Sequence, residues 1–133
     1  MTPDARTLGL VATAAQAADS IKAEQIVAFN VSVRCPLTDV FLIASGGSDR
    51  QVGAIVDAVE RRVDEAGGHL VRREGDSTAR WVLLDYGEFV VHVQHADDRE
   101  FYGLDRLWKD CPRVALPAEI GLATSRDALE AAS

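Results

Sequence analysis

The chain has 133 residues, enough for one domain, and its apolar (47%) and charged (26%) fractions are those of a soluble globular protein. Its net charge of −7, from 21 acidic and 14 basic residues, disfavours direct binding to nucleic-acid phosphates, which depends on lysine and arginine. No apolar run approaches the roughly 20 residues of a membrane-spanning helix, and the first residues do not resemble a secretory signal. We therefore expect a cytoplasmic protein that makes little nucleic-acid contact and does not associate with a membrane.

The first third of the chain predicts one helix and two strands. Thr2 and Pro3 are typical of a helix start, and the Ala-rich segment continues the helix to about Ala18. Alternating apolar residues predict a strand over 26–33. The nearly continuous apolar run over 40–45 predicts a second, internal strand.

A second helix is predicted from Ser48 to Ala66. Ser48 and Gln51 have the spacing of a capping box, and apolar residues recur at helical intervals through the segment. Two glycines end this helix. A third strand is predicted over 69–74.

The most informative stretch is a β-hairpin predicted over 81–93, with Tyr86 and Gly87 as a two-residue loop. In that register the facing pairs are Asp85 with Glu88, Leu83 with Val90, and Trp81 with His92. Opposed residues share a face, so these six side chains lie on one side of the sheet. The other side is purely apolar and is predicted to be core: Val82, Leu84, Phe89, Val91 and Val93. The mixed side is where we expect a partner to bind.

The last predicted helix begins after Asp97 or Asp98 and is interrupted at Gly103. Its helical spacing predicts four core residues: Phe101, Leu104, Leu107 and Trp108. Tyr102 falls beside this stripe, and an aromatic residue near a surface is a typical interface anchor. We predict a single domain over 1–112 and a flexible C-terminal tail over 113–133. The element order predicts an α+β fold with a five-stranded mixed sheet and flanking helices.

Two sites for chemistry were considered. Gly46, Gly47 and Ser48 precede a helix and could bind an anion through free amides, although an ordinary capped turn explains the same residues. This segment is also similar to the Gly-Ser of nucleotidyltransferases, but those enzymes need paired carboxylates for metal ions, and only Asp85 lies on a suitable strand. The alternative function is thus a nucleotidyltransferase-like enzyme or nucleotide-binding protein.

The histidines and cysteines do not indicate a catalytic or metal site. His92 and His95 are three apart on a strand and point to opposite faces. Cys35 and Cys111 lie in no CxxC pattern and are interpreted as free thiols. We expect no catalytic residues, no bound metal and no cofactor.

Several motifs, in order, resemble those of the ribosomal silencing factor family, also called the iojap family. They are Asp39-Val-Phe-Leu-Ile-Ala-Ser-Gly46 with Ser48, Glu74-Gly75, Trp81-Val-Leu-Leu-Asp-Tyr-Gly87, Val91-His-Val93, and Arg99-x-Phe-Tyr-x-Leu-Asp-x-Leu-Trp108. Together they span roughly Ile26 to Trp108. One departure is Asp105, which stands where a glutamate is usual.

The resemblance implies a nucleotidyltransferase-like fold without enzyme activity. It implies a translation repressor that binds protein number fourteen of the large ribosomal subunit, hinders joining of the small subunit when nutrients are scarce, and forms a homodimer when free. Trp81, Asp85 and Tyr102 fall on positions that the resemblance assigns to the ribosomal contact. With Leu83 and His92 from the mixed hairpin face, they are the predicted partner-binding residues.

Overall fold

The computed structural model describes residues 3–75 and 80–120, which form a five-stranded sheet with helices on its faces. The elements in chain order are α1 (Ala5–Ser20), β1 (Glu24–Asn30), β2 (Val40–Gly46), α2 (Asp49–Glu65), β3 (Arg72–Glu74), β4 (Trp81–Asp85), β5 (Phe89–His95), α3 (Ala96–Tyr102) and α4 (Leu104–Leu107). The sheet order is β1-β2-β5-β4-β3. β2 and β5 are parallel and the other neighbours are antiparallel. The predicted α+β fold with a five-stranded mixed sheet is confirmed.

One face of the sheet is covered by α1 and α2 and forms the main core. Successive side chains of the hairpin strands point to opposite faces of the sheet, so their apolar side chains lie on this face. All five hairpin residues predicted to be core are fully buried there: Val82, Leu84, Phe89, Val91 and Val93. Valine and alanine from the two helices fill the space above them.

α1 begins at a single capping carboxylate. Asp4 Oδ1 accepts a hydrogen bond of 2.8 Å from the amide of Thr7. These backbone and side-chain hydrogen bonds from Thr7 lower the pKa of Asp4. Asp4, predicted to lie inside the first turn, is therefore the cap, while Thr2 lies outside the described residues.

α2 begins at Ser48 as predicted, and its first turn is fixed by two side chains. Ser48 Oγ accepts from the amide of Gln51 at 3.1 Å. Gln51 Oε1 accepts from the amide of Gly47 at 2.7 Å, and its Nε2 donates to the carbonyls of Ile21 and Lys22 at 3.1 Å. Gln51 thus joins the start of α2 to the end of α1.

The hairpin register differs from the prediction by two residues. Trp81 faces Gln94, Leu83 faces His92 and Asp85 faces Val90. The two-residue loop is Gly87 and Glu88, one residue later than predicted, because the amide of Tyr86 donates to the carbonyl of Phe89 across the turn at 2.9 Å. A shift of two keeps each side chain on its predicted face.

Glu88 is the exception among the six residues assigned to the mixed face. It lies in the loop, where its Oε2 accepts from Thr7 Oγ1 at 2.7 Å and lies 3.6 Å from the guanidinium of Arg6. Glu88 therefore contacts α1, on the helix-covered side of the sheet.

Two strands are shorter than predicted. β1 ends at Asn30, because the amides of Arg34 and Cys35 donate to the carbonyl of Val31 and the chain turns back there. β3 spans only Arg72–Glu74, although the amide of Val71 also reaches the carbonyl of Asp85.

The last helix is broken more sharply than predicted, and two of its predicted core residues are exposed. His95 caps α3 through Nδ1, which accepts from the amide of Asp97; neither Asp97 nor Asp98 is the cap. Gly103 adopts the left-handed conformation at φ 64° and ends α3. This break changes the helical phase, so Phe101 and Leu107 are 79% and 56% exposed.

The segment after the predicted domain end packs on the domain. The amide of Asn30 donates to the carbonyl of Pro112, and the amide of Val114 donates to the carbonyl of Ala28. Leu116 and Ile120 contact the main core. Residues 112–114 therefore lie along the edge strand β1, and the domain boundary at residue 112 stays a prediction. Residues 121–133 lie outside the described residues, and a flexible tail there stays a prediction.

Replacing Gln51 by alanine should lower the free energy of unfolding by about 1–2 kcal/mol, because it removes two hydrogen bonds that join the end of α1 to α2 and one from the amide of Gly47. Gln16→Ala is the matched control, since it removes one exposed 3.3 Å contact with Glu119 and should change stability by less than about 0.5 kcal/mol. Urea denaturation measures both. Equal effects would contradict the role assigned to Gln51.

Candidate partner-binding face

The side of the sheet opposite α1 and α2 is here named the outer face. Cross-strand pairing places these residues on it: Val27 and Phe29 of β1, Phe41, Ile43 and Ser45 of β2, Val90, His92 and Gln94 of β5, Trp81, Leu83 and Asp85 of β4, and Arg72 and Glu74 of β3. The pairing therefore brings four of the five predicted partner-binding residues together: Trp81, Leu83, Asp85 and His92. The side chain of the fifth, Tyr102, lies outside the described part of the chain.

Among residues 3–75 and 80–120, the cover of the outer face lies over β1 and β2. A second hydrophobic cluster forms there around Phe29, Ile43 and Cys111, with Trp108 and Leu104 packed against it. The ring of Phe41 makes edge contacts with the rings of both His92 and Trp108, each with centroids 5.0 Å apart. This cover comes from segments 31–38 and 104–111, and the half over β4 and β3, named here the open half, is not covered by any segment that the structure describes.

The open half combines half-buried apolar side chains with a concave surface. Trp81 and Leu83 are half-buried, and with Glu74 and Gly75 they line a cavity of about 320 Å³. Leu83 also lines a second, mainly apolar cavity of about 240 Å³, which reaches the 86% exposed Leu37. Apolar surface of this kind is typical of a protein interface.

His92 is held neutral at the centre of the outer face. Trp81 Nε1 donates to His92 Nδ1 at 3.2 Å, so the ring proton of the neutral imidazole is on Nε2. Burial lowers the pKa of His92 to about 4. The Nε2 atom is itself buried and has no hydrogen-bond partner.

Asp85 has a structural role at the hairpin turn. Its Oδ1 accepts from the amide of Gly87 at 2.8 Å, and Gly87 has a positive φ of 85° that the turn requires. One carboxylate oxygen is therefore engaged in the fold, and Arg72 is the cross-strand neighbour of Asp85 on β3.

A buried ion pair that the sequence analysis missed fixes the covered half. Arg99, only 4% exposed, donates from Nε and a terminal nitrogen to the two carboxylate oxygens of Asp105, at 2.9 and 2.7 Å. Its other terminal nitrogen donates to Ser45 Oγ of β2 at 2.9 Å. Burial raises the pKa of Asp105, but the hydrogen bond and charge of Arg99 outweigh it, so the net effect lowers that pKa. The sequence did contain an indication of this ion pair, because an arginine and an aspartate lie on either side of Gly103, where the helix is interrupted.

The segment considered for anion binding has its amides engaged by side chains. The amide of Gly47 bonds Gln51 Oε1, and the amide of Gln51 bonds Ser48 Oγ. A Cβ on Gly46 would lie 3.1 Å from the amide nitrogen of Val52, so glycine is needed for a close approach of strand and helix. The hydrogen bonds favour the capped turn over an anion site.

The residues that the structure describes form neither a metal-ligand cluster nor a membrane-spanning helix. Across 3–75 and 80–120, no three histidine, cysteine or acidic side chains lie together as a metal site would require. Over the same ranges, none of the helices has the length and apolar character needed to cross a membrane.

Comparison with known proteins gives one consistent family. A family model described as "Ribosomal silencing factor during starvation" matches residues 3–133. Proteins named ribosomal silencing factor are 44% identical in Halalkalibacterium halodurans, over 84% of this chain and 95% of that protein, and 44% identical in Bacillus subtilis, over 77% and 87%. The chloroplastic protein Iojap of Zea mays is 31% identical over 86% of this chain and 50% of its own length.

Solved structures agree with this likeness. A crystal structure from Bacillus halodurans matches with a TM-score of 0.70 and 42% identity, over 85% of this chain and all of that one. A Chromobacterium violaceum protein matches with a TM-score of 0.73 and 33% identity, over 84% and 93%.

The low pKa of His92 predicts a pH-dependent stability. In the unfolded chain His92 binds a proton as the pH falls below its ordinary pKa of 6.5, whereas in the folded chain its pKa is about 4. The free energy of unfolding is therefore highest above pH 6.5 and falls as the pH is lowered towards 4. Between pH ~7.5 and ~5 this loss is about 2 kcal/mol. Urea denaturation of wild type and His92→Phe measures it, and an identical pH dependence in the two proteins would contradict the assignment.

Removing Arg99 should destabilise the fold strongly, because Arg99→Ala leaves Asp105 and Ser45 without their buried partner. We expect a loss of about 3 kcal/mol. Arg106→Ala, at an exposed arginine of the same segment, is the control and should cost less than about 0.5 kcal/mol. Similar thermal midpoints for the two variants would rule out an anchoring role for Arg99.

Proposed function

Because the chain belongs to the ribosomal silencing factor family, we propose that it binds the large ribosomal subunit through its outer face and represses translation. The docking site in this proposal is protein number fourteen of that subunit. The bound domain then blocks the joining of the small subunit by occupying the surface where the two subunits meet.

The observation that carries this proposal is the half-covered outer face. Trp81 and Leu83 are half-buried beside two cavities on a sheet whose other side is closed by helices. A tryptophan next to apolar concavities is a frequent energetic anchor of protein interfaces.

The charge balance supports a basic protein as the docking partner. With a net charge of −7 the chain is repelled by ribosomal RNA and attracted to a cationic protein surface. Charge of this kind speeds association and selects the partner, while the apolar anchors supply most of the affinity.

The mechanism requires no catalytic step. Asp85, the carboxylate that a nucleotidyltransferase-like site would use, bonds the turn amide of Gly87, and the Gly47 amide is occupied by Gln51. A titration with nucleotide and magnesium tests the alternative function, which would be favoured by measurable heat or a rise in melting temperature.

We also propose that the free chain works in the cytoplasm as a homodimer. Large apolar side chains are exposed on the segments that flank the outer face: Val33, Leu37, Phe101 and Leu107. A self-association that covers them would compete with ribosome binding if it used the same side. Mass measurement across a dilution series tests this proposal, and a monomer at all concentrations would contradict it.

Trp81→Ala should weaken binding to purified large subunits by about tenfold or more, because it removes the central aromatic anchor. Tyr86→Ala is the matched control, since Tyr86 is an equally half-buried aromatic residue that stacks on Phe89 and contacts the helix-side core. Co-sedimentation measures the affinity, and circular dichroism confirms that both variants fold.

The two variants distinguish the faces of the sheet. Weak binding by Trp81→Ala with normal binding by Tyr86→Ala supports the outer face. Failure of the wild-type chain to sediment with large subunits would end the proposal, and loss of binding only in Tyr86→Ala would move the docking site to the helix side.

A further inference from the structure

The smaller cavity on the outer face has features that a flat docking surface does not need. It is named here the outer-face pocket, and its walls include Thr38, Phe41, Leu83, Val90 and His92. Most of its lining is apolar, and its volume is about 240 Å³. Pockets for drug-sized ligands usually measure about 300–1,000 Å³, whereas an apolar cavity of roughly 150 Å³ holds a benzene ring. The outer-face pocket therefore has the size of one side chain.

Two polar side chains in this pocket lack partners. Thr38 and His92 are 7% and 6% exposed, and neither Thr38 Oγ1 nor His92 Nε2 has a hydrogen-bond partner. Buried polar groups are nearly always paired in proteins, so two orphaned groups in one pocket indicate an absent ligand atom. His92 Nε2 is a donor, because Nδ1 accepts from Trp81. The hydroxyl of Thr38 can donate or accept.

The charges in the pocket favour an uncharged occupant. Arg72 and Asp85 line it with opposite signs, and Arg72 also pairs with Glu74 at 3.1 Å. The pocket therefore offers no net charge to compensate for desolvating a charged end. An oxygen at the end of a mainly apolar group would accept from His92 and pair with Thr38.

The surroundings favour a macromolecular partner over a free small molecule. Leu83 lines both the outer-face pocket and the cavity beside Trp81, so the two form a continuous surface. The rim residue Leu37 is 86% exposed. A small molecule would leave this rim in water, whereas a protein that inserts one side chain would cover it.

We propose that the wall of the outer-face pocket shifts on docking and that the pocket then receives one uncharged, oxygen-tipped side chain of the protein on which this domain docks. His92 Nε2 and Thr38 Oγ1, which are enclosed in the free chain, become its hydrogen-bond partners. This inference rests on the proposed ribosomal function and specifies its contact. The inserted side chain is the partner's anchor, and Trp81 is the anchor of this chain.

Two substitutions test the pocket with purified large subunits as the probe. Thr38→Val keeps the shape and removes the hydroxyl, and should weaken binding about three- to tenfold. Thr13→Val is its control, because Thr13 Oγ1 bonds the carbonyl of Gly9 on α1, away from the outer face. Val90→Phe fills the pocket and should weaken binding by about tenfold or more. Its control is Val71→Phe, which adds the same ring at a 64% exposed site outside the pocket.

A chemical measurement reports occupancy directly. Cys35 is half-buried and lines the pocket, whereas Cys111 is buried in the second cluster. Saturating large subunits should slow the modification of Cys35 by a maleimide about tenfold or more, because an inserted side chain blocks access. Mass spectrometry of the labelled peptide measures the rate.

The outcomes separate this inference from the proposed function. Weak binding by Thr38→Val and Val90→Phe, with protection of Cys35, supports the pocket. Wild-type affinity in both variants, or unchanged modification of Cys35 in chain that has sedimented with subunits, overturns the pocket and leaves the proposed function intact. If the wild-type chain does not sediment with subunits, both fail.

Discussion

The central position of β5 is the constraint on which the rest of the structure depends. β5 pairs with β2 on one side and β4 on the other, so both neighbours and both faces restrict its side chains. Phe89, Val91 and Val93 enter the core under the helices, and alternation then forces His92 and Gln94 onto the outer face. Both of these polar side chains are buried there with unpaired atoms. Burying polar groups without hydrogen-bond partners costs free energy, which the apolar packing around β5 must offset.

The division of the outer face into covered and open halves follows from the Arg99 ion pair. Arg99 joins Asp105 to Ser45, and so holds α3 and α4 over β2. A planar guanidinium with three of its donors engaged is a rigid link, which a lysine would not reproduce. Both carboxylate oxygens of Asp105 accept hydrogen bonds from Arg99. Since the cover stops at Phe41 and Trp108, the surface around Trp81 and Leu83 remains available for docking.

Local patterns predicted the fold well because alternation and capping depend on neighbouring residues. The two faces of the hairpin were assigned correctly although its register was wrong by two, since an even shift preserves the faces. Long-range features were missed. The ion pair between Arg99 and Asp105 forms because the chain turns at Gly103. The pairing of residues 113 and 114 with β1 joins segments that are far apart in the sequence. Phe101 and Leu107 were assigned to the core by a helical phase that the left-handed Gly103 interrupts.

The most direct test of the account is the rate at which the two ribosomal subunits join in the presence of saturating protein, followed by light scattering. If the outer face docks on the large subunit and occupies the contact surface, joining should slow in proportion to the fraction of large subunits occupied, without any nucleotide requirement. An unchanged joining rate, measured with subunits shown by sedimentation to carry the protein, would contradict the central claim that this domain acts by steric exclusion.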